Sequence, residues 1–123
     1  IHPSDLHHAI AYSNLYIGEG GTTASEAVVL GVPAIYTSSL KAGIFDEEEN
    51  RGMLLQLRKI DEIKTCAIKL LKGDNIKDEF LKKREKLLND KIDPTAFLVW
   101  FIENYPDSAR IMKENPEFQE RFK

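Results

Sequence analysis

The sequence predicts an α/β fold, a short parallel sheet with helices followed by a helical C-terminal half. Three observations lead there. Two short apolar runs, Leu15-Tyr16-Ile17 and Val32 to Thr37, flank a helix-compatible stretch with very short joints, the pattern of a parallel βαβ unit. Glycines punctuate both joints, Gly18, Gly20 and Gly21 at the first and Gly31 at the second, where tight turns and helix ends favour them. Past residue 50 the apolar positions recur at helical spacing.

Each element follows from local signals. Pro3-Ser4-Asp5 reads as a helix start with Ser4 as cap and Leu6, Ala9 and Ile10 on one apolar face, ending near Ser13-Asn14. Leu15 to Ile17 is a short buried strand stopped by Gly18. A second helix runs from about Thr23 to Leu30 and closes on Gly31, and Val32 to Thr37 follows as a strand. Pro33 stands near that strand's start, where a missing N–H is tolerated. Residues 38–50 read as loop, ending in the run Asp46-Glu47-Glu48-Glu49, a solvated loop or the negative first turn of the next helix.

The remainder reads as helical. Ile60, Ile63, Ala67, Leu70 and Leu71 share a stripe that Gly73 ends, and Ile76, Phe80, Leu87 and Leu88 form a second. Asp93-Pro94 supplies a cap and a first-turn proline for a third helix, whose body "AFLVWFIENY" is apolar on nearly every side and so predicts burial or docking. Pro106 and Pro116 bracket a short last helix. Two strands make a narrow sheet, so "IHP" reads as the stub of a further strand. The chain is expected to be a single domain over 1–123, truncated at its N-terminus or completed by a partner such as a second copy. Its βαβ core spans 1–50 and its helical part 51–123, the latter holding the helix 94–105.

Composition narrows the partners. A net charge of -3 leaves no electrostatic footprint for nucleic acid. No apolar run approaches the length needed to span a bilayer. A single cysteine, Cys66, forms no internal disulfide, which fits a cytoplasmic location. Its spacing with Ile63 and Leu70 predicts a buried thiol. His7 and His8 are adjacent and point apart on a helix, and no cysteine completes a set with them and His2, so no metal site is expected. Glu19 reads as a solvated loop residue, and Phe97, Trp100 and Phe101 as a docking surface.

The first joint can carry chemistry. A strand that feeds glycines and then a helix start presents unpaired amides and the positive end of a helix dipole to an anion. Gly20 and Gly21 permit close approach, Thr22 and Thr23 add hydroxyls, and the carboxyl end of a parallel strand is where open α/β sheets bind ligands. A phosphate suits this place. The P-loop is excluded, since no lysine lies between Leu15 and Leu40, and the G-x-G-x-x-G fingerprint fails at Thr23. Thr23-Ala24-Ser25-Glu26 is also a capping-box sequence, so spacing leaves Glu26 open between a cap partner and a ligand contact.

The string "GEGGTTASEAVVLGVPAI" resembles the donor-nucleotide motif in the C-terminal, Rossmann-like domain of GT-B-fold enzymes. It is similar to UDP-N-acetylglucosamine 2-epimerase and to the N-acetylglucosaminyltransferase that makes lipid II. It is more similar still to an uncharacterised prokaryotic domain-of-unknown-function family of that superfamily with an "IGEGGT…EA…LG-P" string. The resemblance implies diphosphate binding by Gly20, Gly21, Thr22 and Thr23, ribose binding by Glu26, and a main-chain contact to the base near Leu6. A UDP-sugar, UDP-N-acetylglucosamine by analogy, is the implied ligand, with no separate cofactor. The match is specific over about 25 residues, and the helix around Trp100 resembles the crossing helix of that fold. Where many relatives have Gln-x-x-Asn-Ala at the donor sugar, this chain has "EEENRG", keeping Asn50 without the Gln. The implied reaction is glycosyl transfer or sugar-nucleotide epimerisation. The acceptor site and catalytic base belong to an N-terminal domain absent from these residues, so the chain is expected to bind without turning over. A non-catalytic nucleotide-binding module and a structural or oligomerisation module are the alternatives.

Overall fold

In the structure, a computed structural model that describes all 123 residues, the chain forms two compact units, residues 1–85 and 86–123. The first contains α1 (Leu6–Ala11), β1 (Tyr16–Gly18), α2 (Gly21–Val29), β2 (Ala34–Tyr36), α3 (Gly43–Asn50), β3 (Leu54–Gln56) and α4 (Ile60–Lys72). The helix α5 (Ile76–Asp90) leads into the second, which holds α6 (Pro94–Glu103) and α7 (Asp107–Glu114). No helix is long and apolar enough to cross a membrane.

The sheet has three parallel strands in the order β1-β2-β3, one more than the sequence suggested. Tyr16, Ala34 and Leu54 share one row, Ile17, Ile35 and Leu55 the next, and Gly18, Tyr36 and Gln56 the third. Side chains alternate across a sheet, so the first and third rows point to one face. There the Tyr36 ring meets Phe45 of α3 at 4.5 Å between centroids. Ala24, Ala27 and Val28 of α2 are fully buried, as are Ile35 and Leu54.

Two expectations are corrected in residues 38–56. The expected loop contains α3, and the stretch beyond residue 50 opens with a strand before turning helical. The physical reason is a second copy of the first helix-to-strand joint. At the end of α2 the Gly31 N–H donates to Val28 O and the Val32 N–H to Ala27 O, with Gly31 at φ 80°. At the end of α3 the Gly52 N–H donates to Glu49 O and the Met53 N–H to Glu48 O, with Gly52 at φ 65°. Both are Schellman closures, in which a left-handed residue turns the last amides back onto the helix.

Helix α5 completes both closures. Arg84 Nε donates to Val29 O at 2.7 Å, and Lys83 Nζ donates to Gly52 O at 3.0 Å. The acidic run is therefore helical and largely engaged. Glu48 is buried, Arg51 pairs with Glu47, and Glu49 accepts from both the Gln56 main chain and its side chain. Glu49 thereby covers an outward amide of the edge strand, one of the ways sheet edges are closed.

The N-terminus also differs from expectation. Pro3–Asp5 form a 3-10 turn capped by the His2 side chain, so "IHP" is not a strand stub and Ser4 does not cap α1. In the second unit Asp93 caps α6 as expected, accepting from the N–H groups of Thr95 and Ala96. Trp100 stacks at 4.8 Å from Phe118 and 5.4 Å from Phe122, while Phe97 meets Phe122 edge-on. These aromatic rings, expected to be a docking surface, thus pack on the chain's own last turn, although Leu98, Val99 and Ile102 on the same helix remain exposed.

Candidate functional site

Parallel strands put every following helix start at one pole of the sheet, so α2 and α3 both begin beyond the carboxyl ends of the strands. Helix α2 starts two residues earlier than the sequence suggested, with Gly20 as its N-cap. Its main-chain ladder opens with the Ala24 N–H donating to Gly20 O at 2.9 Å. The amides of Gly21, Thr22 and Thr23 therefore lie ahead of the ladder, as first-turn amides must. Gly20 and Thr22 are exposed and Gly21 and Thr23 half-buried.

The peptide joining Gly20 to Gly21 is held from below. Tyr16 lies along β1 with its hydroxyl donating to Gly20 O at 3.2 Å, alongside the Ala24 N–H. In a trans peptide the N–H points opposite to the carbonyl. Fixing Gly20 O inward therefore aims the Gly21 N–H outward, beyond the helix end. Burial pushes the Tyr16 phenol above its ordinary value, opposed by hydrogen bonds with Gly20 and the Thr23 hydroxyl and assisted by the nearby Glu26 charge. The Thr23 hydroxyl is thus turned to the tyrosine, leaving Thr22 as the exposed hydroxyl of the turn.

Gly21 has a packing role independent of any ligand. A Cβ there would stand 2.6 Å from Phe45 Cζ, so the ring of α3 rests directly on the glycine. Next to the turn, Ser25 Oγ donates to Glu48 Oε2 at 3.0 Å and ties α2 to α3 a second time. Burial raises the Glu48 pKa against the lowering effect of that bond, with the Glu47 charge adding to the rise.

Glu26 is not the partner of a capping box. The cap is Gly20, it receives no side-chain bond, and Thr23 lies inside the first turn. The Glu26 carboxylate instead stands 3.4 Å from His7 Nε2 of α1 and is one-third exposed. Glu26 lies on α2 three residues beyond Thr23.

The structure therefore brings Gly20, Gly21, Thr22, Thr23 and Glu26 together. Leu6 begins α1, one residue before His7, and is exposed. Asn50 is not brought to the turn. It ends α3 just ahead of the Gly52 closure that feeds β3, at the opposite pole. Glu19 is exposed, and Cys66 is half-buried rather than buried.

Tyr16 and His7 were missed as site residues by sequence reasoning. A signal existed for the tyrosine: in "YIG" the glycine follows two residues later on the same strand face. A Cβ at Gly18 would stand 2.5 Å from the Tyr16 oxygen, so that glycine makes room for the ring. His7 carried no comparable signal, because its partner comes from another helix. A cavity of about 360 Å³ lies at the opposite pole, among Asn14, Pro33, Leu71, Ile76 and Lys77.

The arrangement can hold an anion at main-chain amides and accept hydroxyl hydrogens on a carboxylate one turn away. Comparison of the chain with protein-family models, curated proteins and solved structures finds no match.

Proposed function

We propose that the first unit binds a nucleoside diphosphate sugar at the start of α2, in the manner of the donor domain of a GT-B glycosyltransferase or sugar-nucleotide epimerase. The Gly21, Thr22 and Thr23 amides and the Thr22 hydroxyl take the diphosphate, and Glu26 takes the ribose hydroxyls. UDP-N-acetylglucosamine is the ligand by analogy with the resembling enzymes. Acceptor site and base are supplied by a separate domain.

One observation carries this reading. The carboxylate expected at the ribose is free of the capping box and belongs to the same helix as the first-turn amides that lie ahead of its ladder, three residues beyond Thr23. A structural explanation accounts for Gly21 through Phe45, but it leaves Glu26 without a helix-capping purpose.

The test is ligand-dependent unfolding. UDP should raise Tm by several degrees at a hundredfold excess over Kd, equivalent to about 2.7 kcal/mol, while NAD and ATP should not. Glu26→Ala should weaken UDP and spare inorganic pyrophosphate. Equal losses for both ligands, or no shift with UDP, contradict the assignment.

A further inference from the structure

We propose that the open edge of β1 docks a second copy of this chain, whose own β1 pairs antiparallel about a two-fold axis at Ile17 and joins the two sheets into one. The two edges of the sheet are not alike. On β3 the outward Gln56 N–H is closed by Glu49 Oε1 at 3.1 Å. On β1 the Tyr16 N–H donates to Pro33 O, and Gly18 O accepts from the Thr37 N–H. Residues 16 and 18 thus bond to β2, and the main chain of Ile17 between them faces outward. No group of the chain bonds to it. The Ile17 residue is 47% exposed. Parallel sheets are normally wider than three strands, and an unpaired edge is a template for another strand.

The sequence of β1 suits its own copy as that strand. Ile17 is both the middle residue of β1 and the one facing out. Antiparallel pairing centred there lets the two copies exchange a pair of main-chain bonds, and it sets one β-branched side chain beside another. In the same register Tyr16 falls opposite Gly18, so the tyrosine faces a residue without a side chain and keeps its place along its own strand. Glu19 falls opposite Leu15, so no like charges meet across the seam. The devices that block edge pairing, a lysine, a proline or a bulge, are absent from Tyr16-Ile17-Gly18.

Sedimentation equilibrium of the chain between about 10 µM and 1 mM should show the average mass rising toward that of two chains. Ile17→Pro removes the outward N–H and none of the bonds to β2, and proline is tolerated at a sheet edge. This variant should keep its far-ultraviolet circular dichroism and stay monomeric. Ile17→Cys in a Cys66→Ser background tests the register. A hydrogen-bonded antiparallel pair sets its Cα atoms about 5.5 Å apart, within disulfide reach, so mild oxidation should join two chains. Glu19→Cys in the same background should cross-link far less, its two copies lying about 14 Å apart. A wild-type chain that stays monomeric throughout overturns the proposal. So does a folded Ile17→Pro variant that dimerises like wild type, or Glu19→Cys cross-linking as readily as Ile17→Cys. Should Ile17→Pro fail to fold, the two cysteine variants decide alone.

Discussion

Gly21→Ala isolates the contact that seats the start of α2. A Cβ on residue 21 would stand 2.6 Å from Phe45 Cζ and 3.4 and 3.5 Å from the two Cε atoms. Non-bonded carbons rest about 3.5–4.0 Å apart. The ring has little room to swing, being 7% exposed and 4.5 Å from the Tyr36 ring, which is 1% exposed. Relief therefore needs about 1 Å of movement of α2 against α3. Overpacking of this kind costs about 1–3 kcal/mol, and the better helix propensity of alanine returns at most about 1 kcal/mol. The expected net loss is about 1–2 kcal/mol, a fall in Tm of about 4–8 °C. Thermal and urea unfolding measure it. Phe45→Leu removes the colliding Cζ, so the double variant should lie above the sum of the two single losses by at least about 0.5 kcal/mol. Wild-type stability in Gly21→Ala, or strict additivity with Phe45→Leu, would refute the claim that this ring is why residue 21 is glycine.

Two further substitutions examine the helix-to-strand joints at the opposite pole. At Gly31, with φ 80°, an added Cβ would meet Arg84 Cδ and Leu81 Cδ2 at 3.1 Å, whereas at Gly52, with φ 65°, it would meet only Lys83 Nζ at 3.5 Å. Gly31→Ala should therefore lose about 2–3 kcal/mol and Gly52→Ala about 1–2 kcal/mol, and the reverse order in urea unfolding would contradict the packing of α5 on the first joint. For Glu48→Gln the sign follows from burial. The folded chain keeps the Glu48 proton at pH values where the unfolded chain has released it. The stability it contributes is fully present below the unfolded value and lost as pH rises through the folded one. The glutamine variant should accordingly gain on wild type as pH rises from the ordinary carboxylate range, and a difference independent of pH would sink the assignment.

The sequence was most legible where a local signal and a tertiary demand agreed. Asp93-Pro94 set the start of α6 through a side-chain cap and a proline lacking the N–H that needed no partner. Gly31 marked the end of α2 because the left-handed closure required it. The third strand was hidden although the same signal was present, since "RGMLLQL" repeats the joint of "LGVPAIY". What obscured it was the acidic run before it, whose polarity suggested loop. Those acids are tolerated in a helix because Glu48 finds Ser25 and Glu49 finds the edge of β3, neither of which is adjacent in sequence. The sequence predicted burial or docking of the Trp100 helix without naming what it meets. Its aromatic partners Phe118 and Phe122 lie in the last turn, beyond Pro116 and distant in sequence from Trp100.

The glycine turn separates two questions that sequence reading merged. Gly18 makes room for Tyr16, and Gly21 makes room for Phe45, so two of its glycines are explained by packing before any ligand is considered. A glycine-rich joint is accordingly poor evidence for a phosphate by itself. The residues that discriminate are those packing does not require. Helix α2 is pinned at its start by the Tyr16 hydroxyl on Gly20 O, along its body by Ser25 on Glu48, and at its end by Arg84 on Val29 O. None of those ties uses the first-turn amides, and the Glu26 carboxylate meets only the exposed His7 of α1. A rigidly held helix start leaves a ligand little ordering cost to meet, and that pre-organisation is what makes an anion at this turn physically reasonable. If the proposed nucleotide binds here, loosening Tyr16 or Phe45 should weaken pyrophosphate, whereas altering Glu26 should be felt through the ribose.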